Sequence, residues 1–367
     1  MPDVTIIGAG PAGSVAALLL ARGGWDVTFL EQHRFPRDKV CGECLSALGI
    51  EVLERIGLAE RLRALHPVNL THAVIHAGDS RYAVAPLPRR MLGLSREVFD
   101  QFLLNEARAA GARVLQPARC EGVELTRAGV RLRVRDLARN TIETSEPAHV
   151  IVADGKSALP GPAPTLTGDF GIKSHWVGIA GGRDAIELFG CHGCYGGLAP
   201  IEGGRWNAAF SVPARRLRAH GGNLDALFAE LIAENAGLAR RLKGATRASN
   251  WLAAPLPRFA VRPAWQAGVV PVGNAAAAIE PIGGEGMGLA LRSAELAAHT
   301  LIAFDGGATQ ARRSRLRLDY RALWRVRSAA CRVGAKVVSS RTMAAITTEL
   351  LSSNAQAGVL AMKLMGK

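Results

Sequence analysis

Three glycines near the start of the chain constrain its fold more than any other feature. Gly8, Gly10 and Gly13 stand between an apolar run at residues 4–7 and a stretch rich in Ala and Leu at residues 14–22. Between a strand and a helix, this GxGxxG spacing is typical of dinucleotide binding, because the glycines permit a tight turn, the approach of a pyrophosphate and close helix packing. The N–H groups at the start of the helix attract phosphates. The alternative is a glycine turn without a ligand.

An acidic residue ends the next apolar run and narrows the choice of dinucleotide. Residues 26–30 predict a second strand, and Glu31 follows it, 18 residues after Gly13. A carboxylate at this place hydrogen-bonds the hydroxyls of an adenosine ribose that lacks a 2′-phosphate. The sequence therefore favours FAD or NAD over NADP.

The order of the predicted elements indicates an α/β fold with a discontinuous nucleotide-binding domain. Strands and helices alternate at the start, the middle is strand-rich, and a strand near residue 270 leads through a glycine-rich turn into a helix. We expect a Rossmann-type domain at residues 1–70, 93–162 and 264–305. An inserted antiparallel β-sheet substrate domain covers residues 71–92 and 163–263. The proline-rich residues 160–164 mark the point where the chain passes from one domain to the other. A helical C-terminal region follows at residues 306–367.

Composition excludes several classes of protein. The chain has 367 residues, of which 49% are hydrophobic and 21% charged, as in ordinary globular proteins. No apolar run reaches the ~18–20 residues of a membrane span, and no basic segment precedes the first strand as in a secretory signal. Six cysteines are too few for a disulfide framework and favour a reducing compartment. We therefore expect a cytoplasmic protein, with peripheral attachment to a membrane left open.

Positive charge is concentrated near the C-terminus. The chain carries a net charge of +14, and between residues 311 and 341 ten basic residues stand against one acidic residue, a net +9. The segment from Arg312 to Lys336 suits an acidic carrier protein with a tethered acyl substrate, a phosphorylated substrate or an anionic membrane. Nucleic acid is disfavoured, because the segment holds only two aromatic residues for base stacking. A solvated helix face is the simpler alternative.

Further motifs follow one another along the chain in a set order. They are Phe35-Pro36-Arg37-Asp38-Lys39-Val40-Cys41-Gly42-Glu43, Ser95-Arg96-x-x-Phe99-Asp100, Ala153-Asp154-Gly155-x-Ser157, Gly273-Asn274-Ala275-Ala276 and Pro281-x-Gly283-Gly284-Glu285-Gly286. This set resembles the group A flavoprotein monooxygenases and their relatives, most of all the geranylgeranyl-reductase branch. The resemblance covers about residues 1–300 in pieces. It implies FAD as the cofactor and a two-domain fold of the glutathione-reductase type.

The resemblance also implies which residues bind FAD. Arg96 would lie by the pyrophosphate or ribose, where a guanidinium makes bidentate contacts. Asn274 stands where the family has an Asp, so it keeps a hydrogen bond but brings no charge. Backbone N–H groups in the turn before the last helix of the domain would stabilise negative charge on the reduced flavin. The full predicted cofactor set is Gly8, Gly10, Pro11, Ala12, Gly13, Glu31, Gln32, Cys41, Gly42, Arg96, Asp154, Gly155, Gly273, Asn274, Gly283, Gly284, Gly286 and Met287.

Candidate catalytic residues are fewer. The resemblance places Lys39 and Glu43 in the loop beside the flavin, Tyr195 on a strand over the flavin and Pro281 at the wall of the flavin ring. Lys39 is the most suggestive, because a cation beside the flavin holds an anionic substrate or stabilises charge. Other acid–base candidates, which the sequence does not rank, are His175, His192 and Glu280.

Two CxxC pairs, at residues 41–44 and 191–194, admit three interpretations. Four thiolates together would bind zinc, one pair would be redox-active near the flavin, or the thiols would only pack in the pocket and core. Both pairs lie inside segments that the resemblance already explains. We therefore expect packing thiols and no metal.

The expected function is the oxidation or reduction of an apolar small molecule by means of FAD. The loop at residues 39–43, which we call the flavin loop, and the turn at residues 284–287 favour reductase-like chemistry on a polyene, isoprenoid or polyketide-type substrate. An aromatic hydroxylase is the alternative, and a non-catalytic flavin-binding protein is a third, motivated by Asn274 and the basic segment. The paired tryptophans of flavin-dependent halogenases are missing around Tyr195, which disfavours halogenation. No second GxGxxG follows a strand, so electrons would come from transiently bound NAD(P)H or from a separate donor.

Overall fold

A computed structural model describes residues 1–127, 129–155, 159, 168–257, 259–262, 265–304, 310–353 and 355–366. The strands are β1 Asp3–Ile7, β2 Asp26–Leu30, β3 Cys44–Leu45, β4 Val68–His76, β5 Tyr82–Gly93, β6 Arg113–Leu115, β7 Ala118–Leu125, β8 Val130–Asp136, β9 Thr141–Ser145, β10 His149–Val152, β11 Asp169–Val177, β12 Ala185–Cys191, β13 Cys194–Pro200, β14 Trp206–Pro213, β15 Thr246–Arg247, β16 Leu252–Pro255 and β17 Val269–Pro271. The helices are α1 Pro11–Arg22, α2 Ala47–Arg55, α3 Ala59–Arg63, α4 Arg96–Ala109, α5 Ala214–Ala219, α6 Leu224–Glu234, α7 Ala236–Leu242, α8 Gly286–Ala303, α9 Gln310–Val338, α10 Arg341–Ser353 and α11 Ala355–Leu364. The predicted crossing at 160–164 and Ser157 lie outside the described residues.

A five-stranded parallel sheet forms the first layer, in the order β17-β10-β1-β2-β6. Four of the five residues of its central strand β1 are buried, and three of these are apolar, as expected of a strand covered on both faces. Helix α1 is buried along most of its length and packs against α4 and α8. A small antiparallel sheet of β7, β8 and β9 lies beside this layer. The predicted α/β fold with a parallel nucleotide-binding sheet is confirmed.

A nine-stranded sheet forms the second layer, in the order β15-β11-β14-β13-β12-β4-β5-β3, with β16 paired to β11. All its pairs are antiparallel except β4 with β12, which run in parallel. One part of the sheet packs on α6 and α7 through a cluster that includes Phe210, Leu227 and Leu238. Residues 68–93 contribute β4 and β5 to this sheet, close to the predicted 71–92. The division into two domains stays a prediction.

Two predicted helices are interrupted in the structure. The stretch at 45–65 divides into α2 and α3 at Gly57, whose φ of 76° favours glycine. The predicted helix at 224–242 divides into α6 and α7 at Asn235, whose side chain accepts a hydrogen bond from the Leu238 N–H and begins the second helix. Apolar periodicity continues through both breaks, so the pattern alone predicts one helix.

Three C-terminal helices complete the molecule. The 29-residue helix α9 packs against α8 and approaches β12 so closely that a Cβ built on Gly190 would lie 2.1 Å from the Val338 carbonyl oxygen. Helices α10 and α11 pack on β5. Among the described helices, none combines the length and apolar character needed to cross a bilayer. The predicted helical region is present as three helices.

Candidate functional site

A large cavity opens between the two main sheets. The space within it, together with its open mouth, is about 1790 Å³. Its walls come from the turn before α1, the loop before β3, strands β11 to β14, the turn before α8 and helix α11. The predicted site residues that line it are Gly10, Pro11, Ala12, Lys39, Cys41, Gly42, Glu43, Arg96, Gly155, Tyr195, Gly273, Asn274, Pro281, Gly283, Gly284, Gly286 and Met287.

The glycine turn after β1 has the shape that a pyrophosphate requires. Gly8 has a φ of 101°, and a Cβ built on it would lie 2.6 Å from the Ala153 carbonyl oxygen. A Cβ on Gly13 would lie 2.0 Å from the Gly8 carbonyl oxygen, so this glycine lets α1 pack on the turn. A Cβ on Gly10 would meet no described atom within 4 Å. Gly8 therefore permits the turn, and Gly13 permits the packing of α1. Gly10 leaves an open space at the start of α1, and that space fits a phosphate group.

Glu31 is buried at the end of β2, where its carboxylate holds the glycine turn. Its Oε2 accepts a hydrogen bond from the Ala9 N–H at 2.8 Å, and its Oε1 accepts one from the His33 N–H at 2.7 Å. Gln32 accepts a hydrogen bond from Arg119 at 2.9 Å. Neither residue lines the cavity, nor do Gly8, Gly13 and Asp154. Their predicted contacts with FAD stay predictions, and the structure shows Glu31 shaping the turn itself.

A second turn, before α8, faces the same cavity from the other side. Gly273 begins a 3₁₀ turn and donates its N–H to Ser293 Oγ at 2.8 Å. Gly284 has a φ of 62°, and a Cβ built on Gly286 would meet no described atom within 4 Å. The start of α8 thus presents its N–H groups to open space. Two helix N-termini that converge on one apolar cavity fit the phosphate and ring ends of FAD.

Arg96 lines the cavity, but a carboxylate already holds its guanidinium. Its Nε and one Nη donate to Asp100 at 2.7 and 2.5 Å, one helical turn away. Burial works to lower the pKa of Arg96, but the Asp100 carboxylate outweighs it and the net shift is upward. The guanidinium is therefore fixed in place and charged. Its predicted contact with the FAD pyrophosphate or ribose stays a prediction.

A buried cluster of charges ties the loop before β3 to the large sheet. Glu43 is fully buried and accepts hydrogen bonds from Lys173 Nζ at 2.6 Å and from the Arg96 N–H at 2.7 Å, and His175 Nε2 lies 2.8 Å from its other oxygen. Lys173 is also fully buried and bonds Asp38 as well. With its oxygens occupied, Glu43 holds the loop in place. This geometry favours a positioning role for Glu43 over the predicted catalytic one.

The same cluster has the composition of a metal site, but an ammonium group lies within it. Possible ligand atoms of Asp38, Glu43 and His175 all lie within 4.8 Å of one another. Lys173 Nζ hydrogen-bonds both carboxylates and so supplies the positive charge that a metal ion would bring. In the part of the chain that is described, the four cysteines of the two CxxC pairs do not gather into one ligand set.

Lys39 lies at the cavity wall beside Gly155. A Cβ built on Gly155 would lie 3.1 Å from Lys39 Nζ. Gly155 follows β10, the strand that pairs with β1 in the parallel sheet. The structure therefore brings the flavin loop to the end of the parallel sheet, and the predicted role of Lys39 toward an anionic substrate stays a prediction.

A tyrosine and a glutamate form an acid pair at the other wall. Tyr195, on β13, donates its hydroxyl to Glu280 Oε1 at 2.5 Å, and Glu280 immediately precedes Pro281, which lines the cavity. Burial raises the pKa of Glu280, while the hydrogen bond from Tyr195 works in the opposite direction. Burial, and then the nearby Glu280, raise the pKa of Tyr195 well above its usual value. From the sequence alone, Glu280 is one of three acid–base candidates without a ranking.

The two CxxC pairs lie in different places. Cys41 and Cys44 both line the cavity, and Cys44 begins β3. Cys191 and Cys194 pair across the turn between β12 and β13 and belong to the core that packs on α6. Contact with Cys191 and with Arg216, whose Nη1 lies 3.1 Å from Sγ, lowers the pKa of Cys194. The second pair therefore faces the core, as packing thiols do.

Some lining residues carry no sequence signal. Met362 and Met365, from α11 and the turn after it, line the cavity, and the Met365 carbonyl oxygen would lie 3.8 Å from a Cβ built on Gly283. Lys173 belongs to the buried ion cluster and does not line the cavity, and the alternation along β11 predicts a solvent-facing position for it. Neither feature matches a motif, because both depend on contacts between residues far apart in the chain. The burial of Lys173 becomes visible only in the structure, where residues 171–175 of β11 are all buried.

The sequence was compared with protein families and with curated proteins. The profile of a family described as FAD binding domain matches residues 1–321. Menaquinone reductase of Mycolicibacterium smegmatis is 29% identical over 352 residues, which covers 88% of this chain and 79% of that protein. Digeranylgeranylglycerophospholipid reductase 2 of Methanopyrus kandleri is 37% identical over 113 residues, covering 30% and 27%. Squalene monooxygenase of Rattus norvegicus is 39% identical over 83 residues, covering 23% and 14%.

Solved structures share the whole fold. The flavin-dependent brominase Bmp2 superposes with a TM-score of 0.85 at 17% identity, covering all of this chain and 93% of that one. A geranylgeranyl bacteriochlorophyll reductase-like protein from Thermoplasma acidophilum superposes with a TM-score of 0.82 at 20% identity, covering 100% and 96%. At such identities the match concerns the fold alone. It confirms the two-layer architecture and the helical C-terminus.

Proposed function

This chain belongs to the family described as FAD binding domain and is an FAD-dependent oxidoreductase, and we propose that it reduces an apolar small molecule of polyene, isoprenoid or polyketide type. One observation carries the proposal: a single cavity is lined by the two glycine turns, by an apolar face of the large sheet and by Met362 of α11. A cofactor at the turns and a substrate against the sheet would therefore share one space. The relatives named as reductases of menaquinone and of digeranylgeranylglycerophospholipid support a reductase with an apolar substrate.

Different residues of the chain have different roles in the proposed reaction. FAD, when bound, supplies hydride transfer or oxygen activation. The N–H groups at the starts of α1 and α8 would hold its charged parts, with Gly10 and Gly286 leaving room. The apolar walls would exclude water and orient the substrate. Tyr195 holds a proton at its hydroxyl oxygen, with Glu280 behind it, and is the proposed source of the proton that a reduction consumes.

A monooxygenase is the second candidate. The match to squalene monooxygenase favours it, although that match covers a small part of both chains. The hypothesis of a non-catalytic flavin-binding protein is set aside, because the relatives that match are reductases and monooxygenases. Electrons would come from NAD(P)H that binds transiently or from a separate donor, in either case.

Product mass separates the two candidates. The FAD-loaded protein is incubated with a chemical reductant, or with NADPH, and with a panel of menaquinones and polyprenyl compounds, first without oxygen and then under ¹⁸O₂. A reductase yields a product two hydrogen atoms heavier in both atmospheres, whereas a monooxygenase yields a labelled product only with oxygen. Gly10→Ala, which blocks the phosphate space, serves as the matched control. Protein that neither retains FAD nor turns over any member of the panel contradicts the proposal.

A further inference from the structure

We propose that the outer surface of helices α9, α10 and α11 docks the protein onto an anionic lipid membrane. The inference concerns a surface away from the cofactor turns and does not depend on the reaction catalysed. It rests on two properties of the same three helices, exposed aliphatic side chains and a dense positive charge.

Large apolar side chains are exposed on these helices far more often than elsewhere. Of the seventeen exposed large hydrophobic residues among those described, eight lie between residues 310 and 366, and each is 49–63% exposed. Scattered single cases are normal on a protein surface, but a concentration marks an interaction site. The outer surface of the three helices therefore offers a partner apolar contact.

The spacing of these residues places them on the outward faces. On α10, Met343, Ile346 and Leu350 follow the i, i+3, i+7 pattern, which puts them on one side of the helix. Buried Ala344 and Thr348 lie between them in sequence and turn toward the rest of the protein, where α10 packs on β5. On α11, Leu360 and Leu364 are one turn apart and exposed. Both helices thus present aliphatic side chains away from the strand that they cover.

Positive charge surrounds this apolar surface. Between residues 310 and 366 eleven basic residues stand against two acidic ones, a net charge of +9. Along α9, exposed Leu318, Val326 and Val333 share the outer face with exposed basic residues. These are Arg315, Arg321, Arg325, Arg332 and Lys336. A basic helix with exposed aliphatic residues has the composition of one that lies in a membrane interface, where basic residues are attracted to an anionic lipid surface.

Charge and layout favour a membrane over other occupants. A second copy of the chain would bring a surface of the same sign against this one and be repelled. An acidic protein would satisfy the charge, but the eight exposed aliphatic residues extend over three helices, and the cavity at this surface, lined by Gln356, Val359, Leu360 and Lys363, includes one of the eight. An anionic lipid surface would contact both the exposed aliphatic side chains and the basic residues. On its inner side, α11 contributes Met362 to the cavity wall, so the proposed surface adjoins the apolar cavity.

Vesicle sedimentation tests the proposal with the full-length, FAD-loaded protein. Vesicles of phosphatidylcholine alone are compared with vesicles of equal parts phosphatidylcholine and phosphatidylglycerol. We expect binding to the anionic vesicles only, weakened by high salt, which screens charges beyond ~3 Å at 1 M. Arg321→Glu/Arg325→Glu should weaken binding at least about tenfold, and Ile346→Ser/Leu360→Ser should weaken it at any salt concentration.

A matched control changes the same residue types on another surface. Arg139→Glu with Ile142→Ser alters an exposed arginine and an exposed isoleucine at the β8–β9 hairpin, and should bind vesicles like the wild type. Retained FAD absorbance shows that each variant is folded. Equal binding to both vesicle types, or equal loss in the control, overturns the proposal. So does salt-sensitive binding to acyl carrier protein without any vesicle binding, which would assign the surface to an acidic protein. Because the measurement does not involve product formation, its failure is distinct from failure of the proposed function.

Discussion

Lys173 shows how one residue can hold two parts of the molecule together. Its ammonium lies between Asp38 and Glu43, so β11 of the large sheet and the loop beside the cofactor turn share a buried ion cluster. Replacement by Met would leave the buried Glu43 and the half-buried Asp38 without their cation. We expect Lys173→Met to lower the free energy of unfolding by roughly 3–5 kcal/mol, measured by urea denaturation. Exposed Lys336→Met, the control, should stay within about 0.5 kcal/mol of the wild type, and equal effects would contradict the role of the cluster.

Gly10 and Gly13 should respond differently to the same substitution. Gly13→Ala forces a Cβ against the Gly8 carbonyl oxygen and should destabilise the apoprotein by roughly 1–3 kcal/mol. Gly10→Ala adds a methyl group to open space, so the apoprotein should melt normally while its affinity for FAD falls. Thermal unfolding of the apoprotein and fluorescence titration with FAD separate the two effects. If Gly10→Ala binds FAD like the wild type, the phosphate does not lie at this turn.

Glu280 should make stability depend on pH. Burial raises its pKa above the ordinary value of 4.5, so the folded protein binds more protons than the unfolded chain between that value and the raised one. The free energy of unfolding therefore falls as pH rises through this window. Glu280→Gln should remove that part of the fall, as measured by denaturation at a series of pH values. Glu143→Gln, a change at an exposed glutamate, should leave the slope unaltered.

At the scale of elements, the close approach of α9 to β12 invites a direct test. Gly190 faces the Val338 carbonyl at a distance that no side chain fits. We expect Gly190→Ala to displace α9 and to cost roughly 1–3 kcal/mol in the free energy of unfolding. Gly122→Ala is the control, because a Cβ there would make only an ordinary contact, 3.9 Å from Arg133. Similar unfolding curves for the two variants would show that α9 adjusts freely.

Local patterns predicted the elements that depend on local chemistry. The strand, glycine turn and helix at the start follow from neighbouring residues, and so does the turn that opens α8 at Gly286. The break at Asn235 and the parallel pairing of β4 with β12 did not follow, since a capping side chain and a register between distant residues decide them. The same reason applies to the site. Motifs revealed the cofactor wall, but the ion cluster around Lys173 and the cavity wall at Met365 come from tertiary packing.

For the whole molecule, the position of the cavity between both sheets makes stability depend on the cofactor. A ligand that binds only the folded chain, at 100 times its dissociation constant, adds about 2.7 kcal/mol to the free energy of unfolding. We expect removal of FAD to lower the melting temperature accordingly in calorimetry, and riboflavin, which lacks the pyrophosphate, to restore little of it. A melting temperature that is unaffected by FAD would show that the cofactor does not bind there.

The wall that α11 gives to the cavity has a consequence for biosynthesis. Met365 lines the same space as Gly10, and β17, near residue 270, completes a sheet whose central strand begins at Asp3. A nascent chain whose residues 355–366 are still inside the ribosome lacks that wall, so the early segments keep part of their apolar surface uncovered until these residues have emerged. A premature stop codon before residue 362 would leave this surface permanently open, and such products should need chaperones or be degraded.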